Sequence, residues 1–171
     1  GRFTDARSIA VDGEGRVYVA EYSGGRVQVF DSAGAFITQW TADATMPLLD
    51  LEADRRGTVY VVQSGRVRRY EGATGKLLGT LPGGGGRSVN DVALALDGSL
   101  WAVAWPYEIV HLGPDGEVRR TIDAREAIGE DAVPTRVAVA GSGVVYVTDR
   151  RSGDVYHLDP RRKFVDRFGW G

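Results

Sequence analysis

Short apolar runs of four to six residues follow one another down the whole chain, each broken by glycine, aspartate or proline. Valine, isoleucine, tyrosine and tryptophan dominate the runs, which is the composition of β-strands. Helical periodicity is nearly absent. The pairs Val17-Tyr18, Val59-Tyr60, Leu100-Trp101 and Val145-Tyr146 each follow a glycine-containing turn, and their aromatic members recur at spacings of 42, 41 and 45 residues. Self-similarity near this period predicts a propeller or solenoid built from one repeated unit.

Each unit has the same internal order. A first strand ("SIAV" 8–11, "LDLEA" 49–53, "DVALAL" 91–96, "TRVAVA" 135–140) meets a tight turn ("DGEG", "DRRG", "DG", "GSG"). A second strand follows ("VYVA", "VYVV", "LWAV", "VYVT"), then a variable loop and a third strand ("RVQVF", "RVRRY", "EIVHL", "DVYHL"). Another turn leads to a fourth strand ("FITQW", "KLLGTL", "EVRRTI", "KFVDRF"). Four consecutive antiparallel strands make one meander sheet. The second strand is apolar on both faces, whereas a sheet wetted on one side alternates. Both faces are therefore expected to be covered, as when sheets stack around an axis. The one helical candidate is "IDAREAIGED" (122–131), with Asp123 as cap and Gly129 as terminator; a single turn or an irregular loop fits the same residues.

The stretch "IAVDGEGRVYVAEYSGGRVQVFDSAGAFITQW" (9–40), with its strand–DG–strand–loop–strand–turn–strand order, resembles an NHL repeat, and "VYVTDRRSGDVYHLD" (145–159) matches it nearly as well. Unit three, "ALALDGSLWAVAWPYEIVHLGPDGEV" (93–118), is also similar to the repeat of virginiamycin B lyase-type propellers. The resemblance covers nearly the whole chain. It implies an all-β fold, a β-propeller of four-stranded antiparallel blades, with four NHL-like blades at about 3–41, 46–82, 88–122 and 133–169 within a single segment 1–171. The family usually closes with more blades, so a four-bladed ring would be unusual and the four are expected to form part of a larger or self-associating ring. Such a likeness specifies fold strongly and function hardly at all.

Ligands of propellers usually sit where the loop after strand two meets the connection between blades, which the resemblance places at Glu21-Tyr22-Ser23, Gln63-Ser64, Ala104-Trp105-Pro106-Tyr107 and Asp149-Arg150-Arg151. Glu21, Gln63, Ala104 and Asp149 share one column. An acid there can hold the turn by bonding the following backbone; a ring of acceptors around a cation is the sharper reading, weakened by the alanine. Trp105-Pro106-Tyr107 replaces a glycine-rich turn with two aromatics, either a rim that stacks a ligand or an indole folded onto its own blade. The candidate ligand-binding residues are thus Glu21, Tyr22, Gln63, Trp105, Tyr107, Asp149, Arg150 and Arg151.

Other chemistry is thin. The arginine pairs 55–56, 68–69, 119–120, 150–151 and 161–162 are scattered, and no single phosphate-tracking stripe emerges. His111 and His157 occupy one column of strand three, expected half-buried in blade-to-blade packing rather than converging on an ion. No histidine falls in the pore-side loops, so the catalytic histidines of propeller lyases find no counterpart. "LPGGGGRS" (81–88) lacks the lysine and helix of a phosphate loop and reads as a connection between blades. No catalytic residue, metal or cofactor is assigned.

Composition adds boundaries. The 171 residues suffice for a proper core. The net charge of −2 argues against a strongly electropositive nucleic-acid binder, and the absence of cysteine removes thiolate chemistry and disulfides. No apolar run reaches membrane-spanning length. The chain lacks an initiator methionine and is expected to belong to a longer protein, with an extracytoplasmic domain of a bacterial protein as one setting. The expected role is a non-catalytic binding, scaffold or sensor module that presents variable loops to a protein or small ligand. A fragment of a propeller lyase or hydrolase, with its catalytic groups in other blades, is the alternative, and an RNA-binding NHL domain is a more distant one.

Overall fold

A computed structural model describes residues 2–82, 86–159 and 166–169. Among these residues, sixteen strands form four sheets, each a meander of four consecutive antiparallel strands. Blade one comprises β1 (Ala6–Val11), β2 (Val17–Glu21), β3 (Arg26–Phe30) and β4 (Phe36–Thr41), with one 3-10 turn at Ser23–Gly25. Blade two comprises β5 (Leu48–Ala53), β6 (Thr58–Gln63), β7 (Arg66–Glu71) and β8 (Lys76–Thr80). Blade three comprises β9 (Ser88–Leu94), β10 (Leu100–Trp105), β11 (Glu108–Leu112) and β12 (Val118–Asp123). Blade four comprises β13 (Pro134–Val139), β14 (Val145–Asp149), β15 (Val155–Leu158) and β16 (Asp166–Phe168). These are the four antiparallel blades the repeat implies, and the described residues are all-β apart from short helical turns. The arginine pair at 161–162, the glycines at 83–85 and the start of the fourth strand of unit four lie outside the described residues.

First strands begin one to three residues earlier than the pattern predicts. A β-bulge explains this. In every blade the register of strand one against strand two slips at the same place, leaving Arg7, Leu49, Asn90 or Thr135 as the extra residue. The slip breaks the alternation from which a strand is read. The β9 strand ends at Leu94 rather than Leu96, because Ala95 turns to accept a bond from Gly98 and donate one to Ser99.

The turn after strand one has a chemical cause. The Asp12 carboxylate accepts from the backbone of Glu14 and Arg16, and Asp54 accepts from that of Arg56 and Thr58. Gly15, Gly57, Gly98 and Gly143 close the four turns at φ between 80° and 85°, the left-handed region that only glycine enters at no cost. The helical candidate is a single turn, α1 (Ala124–Ala127), with the Asp123 side chain accepting from the Arg125 N–H.

The chain divides into two compact units, residues 1–81 with blades one and two, and residues 82–171 with blades three and four. In the first unit, Tyr18, Val27, Val29 and Trp40 of blade one pack on Leu51, Val59, Val61 and Tyr70 of blade two. The Tyr18 hydroxyl donates to Asp12 at 2.8 Å, and Arg16 reaches the same carboxylate oxygen at 2.7 Å. Burial pushes the Tyr18 phenol up to about 12, and its bond to Asp12 adds to the shift. Burial alone would raise the Asp12 carboxyl, but Arg16, Tyr18 and the turn N–H groups together hold it below the usual range. In the second unit, Trp101, Val103 and Ile109 of blade three pack on Val137, Val145, Val147 and Leu158 of blade four. His111 stacks flat on Trp101 of its own blade, ring centroids 4.4 Å apart and planes 4° from parallel. His157 instead tilts against Tyr146 at 6.0 Å. Each histidine therefore leans on its own blade's strand-two aromatic.

Candidate functional site

Strand direction places the loop after strand two and the connection into strand one at the same end of each blade. The column that the sequence singles out lies there, and three of its members do the same work. The Glu21 carboxylate accepts from the backbone N–H of Thr4, just ahead of β1, and from the Arg26 side chain. The Gln63 side-chain amide donates to the carbonyls of Asp43 and Met46, just ahead of β5, at 3.0 and 2.9 Å. Asp149 accepts from the N–H of Val133, just ahead of β13, at 2.9 Å. Each side chain ties the segment that enters its own blade to the end of strand two. Their relative exposures are 1%, 0% and 4%, so none is presented to solvent.

Only Asp149 also holds the following turn, accepting from the Arg151 N–H and the Ser152 hydroxyl. Blade three departs from the column. Ala104 is wholly buried, and its strand partner Glu108 takes over by accepting from the Arg87 side chain ahead of β9. The Arg26 guanidinium lowers the Glu21 carboxyl to about 2, against the opposing pull of burial.

The segment Glu21–Gly25 is a junction of the first unit. Tyr22 donates its N–H to Asp5 and accepts from Leu48, and the Gly25 carbonyl accepts from Ala42. The Tyr22 ring lies under the Arg7 guanidinium at 4.0 Å, and Asp5 holds that arginine at 2.9 Å.

The second unit repeats this arginine-on-tyrosine arrangement. Arg125 lies 4.3 Å over the Tyr107 ring, held by Asp123 at 2.6 Å. An open cleft of about 480 Å³ adjoins it, lined by Asp123, Arg125, Glu126 and Glu130. Arg125 lowers the Asp123 carboxyl to about 2. Trp105 ends β10, whose other five residues are buried, yet is itself 63% exposed. Arg150 and Arg151 are exposed at the matching loop of blade four. The structure thus groups Trp105 with Tyr107 on one turn, and Asp149 with the two arginines on another.

Sequence reasoning missed two sets of residues. One is the pair Arg7 and Arg125, each two residues after an aspartate, a spacing visible in the sequence. The other is the strand-one column Ser8, Asp50 and Asp91. The Ser8 hydroxyl bridges Asp50 and the Leu51 N–H, and Asp91 accepts from the Val137 N–H at 2.7 Å and from Arg136 at 2.6 Å. Among the described residues, no three His, Asp or Glu side chains cluster as a metal site would require. Among the same residues, no helix is long and apolar enough to cross a membrane.

Residues 3–30, the bulk of blade one, match the NHL repeat. No curated protein matches the chain. Among solved structures, a streptogramin B lyase is similar over 98% of this chain and 55% of its own, at 13% identity and a TM-score of 0.73. A protein of unknown function from Bacteroides caccae is similar over 95% of this chain and 60% of its own, at 13% identity and a TM-score of 0.68. The chain therefore spans about 55 to 60% of the length of the solved proteins it matches. At such identities the likeness speaks for the fold. The chain is all-β, built from four-stranded antiparallel blades of the β-propeller type, and its first blade matches the NHL repeat.

Proposed function

We propose that the chain is a non-catalytic binding module that presents its strand-two loops to a protein or small ligand. The observation that carries this reading is the exposed Trp105 indole on the end of an otherwise buried strand. An aromatic anchor on a rigid element supplies contact area at low entropic cost. The Tyr107–Arg125 stack and the neighbouring acidic cleft add a cationic plane and carboxylates beside it. Trp105, Tyr107, Arg150 and Arg151 are the residues for contact. Glu21, Gln63 and Asp149 support the loops from beneath, since their polar atoms face the entering backbone.

The test is an array of glycans and short peptides probed with wild type and Trp105→Ala. Spots lost in the variant, with an unchanged circular dichroism spectrum, support the reading; an identical spot pattern sinks it. The likeness to streptogramin B lyase favours the second reading, a segment of a propeller lyase whose catalytic groups stand in other blades. Cleavage of a streptogramin B by this chain alone would overturn the non-catalytic proposal.

A further inference from the structure

Each joint inside a unit has two chemically different sides. The leading side carries an alanine on strand one paired with an aromatic on strand two: Ala10 with Tyr18 in blade one, and Ala93 with Trp101 in blade three. The receiving side carries aliphatic residues in the alternate columns: Leu51, Val59 and Val61 in blade two, and Val137, Val145 and Val147 in blade four.

Blade four repeats the leading side on its other face, where Ala138 pairs with Tyr146 and Tyr146 with His157. Phe168 completes that face, 6.4 Å from the Tyr146 ring and 55% exposed. Blade one repeats the receiving side on its other face. Ile9 pairs there with Val19, and Val11 with Val17, which pairs in turn with Phe30. Ile9 is 67% and Val11 56% exposed. Phe3 and Phe36 flank Phe30 at 5.7 and 5.9 Å and are themselves exposed. A contiguous apolar sheet face of this kind marks an association surface.

We propose that the chain associates head to tail with a second copy, the Ala138–Tyr146 side of blade four in one copy seating on the Ile9–Val11–Val17 side of blade one in the other. The contact continues the packing that already joins blades within each unit, and it is independent of the loop-face reading. It is heterologous, so each copy that joins keeps one face free for the next.

One column makes this joint weaker than those inside the units. Within the units the leading blade gives an acceptor to a receiving N–H: the Ser8 hydroxyl to Leu51 at 3.1 Å, and Asp91 to Val137 at 2.7 Å. Blade four places Arg136 in that column, a side chain with donors alone, and pairs it back to Asp91. Ile9 stands in the column of Leu51 and Val137 and receives no acceptor from Arg136. The joint between copies therefore rests on apolar burial.

Sedimentation velocity from micromolar to millimolar protein tests this. The wild-type mass is expected to rise with concentration to two copies or more. Ile9→Lys, or Val11→Lys should that variant fold better, keeps the chain monomeric with an unchanged circular dichroism spectrum. Leu77→Lys, at a site 54% exposed on β8, leaves association intact. Arg136→Ser supplies a hydroxyl of the Ser8 type and tightens association about three- to tenfold, the yield of one added hydrogen bond. A wild-type monomer throughout, or association that survives both lysine variants, overturns the proposal. An Arg136→Ser chain that associates no more tightly overturns its register.

Discussion

The indole Nε1 of Trp40 in blade one donates to the backbone carbonyl of Gly72 in blade two at 2.9 Å, and both groups are buried. The Tyr70 ring stacks on the same indole at 5.1 Å. Blade two thus meets blade one through bare backbone, and the bare position is required. A Cβ on Gly72 would fall 2.5 Å from the Tyr18 hydroxyl oxygen and 2.6 Å from its ring.

Gly72→Ala is accordingly expected to cost about 1–3 kcal/mol, the range for overpacking a well-filled core. Gly129→Ala is the control, because nothing lies within 4 Å of its Cβ and its φ is not positive; it should stay within about 0.5 kcal/mol of wild type. Equilibrium urea denaturation of the two variants measures both. Equal midpoints would show that the Tyr18–Gly72 contact yields freely.

Gln63 offers a different kind of loss. Its amide supplies donors to two carbonyls of the segment between blades one and two, and it is wholly buried. Gln63→Leu keeps the volume and removes both donors. A cost of about 1–3 kcal/mol is expected, that of two lost hydrogen bonds. Faster hydrogen exchange at Leu48, whose N–H bonds the Tyr22 carbonyl, should accompany it. Unchanged exchange there would mean that the connection holds without its clasp.

Glu21 links the first unit to acid. Its carboxyl sits at about 2 in the folded chain, against an ordinary value of 4.5. A depressed carboxylate contributes stability that is complete above the unfolded value and is lost as pH falls toward the folded one. The melting temperature should therefore drop between about pH 4.5 and pH 2 as this bond is lost. Glu21→Gln should melt lower at neutral pH and show a shallower decline across that window. Parallel wild-type and variant curves would exclude Glu21 as the group responsible.

Much of this architecture was written in the sequence, because strand, turn and repeat signals are local. The aromatics Tyr18, Tyr60, Trp101 and Tyr146 mark strand two in all four blades, and Asp123 announces the cap it provides. The clasp was legible only in part. A column holding Glu21, Gln63 and Asp149 is visible, but its partners Thr4, Asp43 and Val133 are backbone groups 16 to 20 residues away, without a side-chain signature. The bulges at Arg7, Leu49, Asn90 and Thr135 were hidden for the opposite reason. They interrupt the alternation on which reading a strand depends.

His111 carries the last prediction. Ser99 donates its hydroxyl proton to Asp97 at 2.6 Å, so its oxygen is left to accept from His111 Nε2 at 3.0 Å. The neutral imidazole therefore bears its proton on Nε2. Burial, with Arg119 and Arg120 adding repulsion against the pull of Asp97, holds the ring below its ordinary 6.5. The unfolded chain takes up this proton first, so stability is complete above pH 6.5 and declines as pH falls below it. Nitrogen-15 shifts of the ring should report an Nε2–H tautomer and a midpoint under 6.5. Ser99→Ala removes the acceptor and should shift the ring toward a mixture of tautomers. A midpoint at or above 6.5, or an Nδ1–H ring in the wild type, would break the chain of bonds that runs from Asp97 through Ser99 to the Trp101 stack.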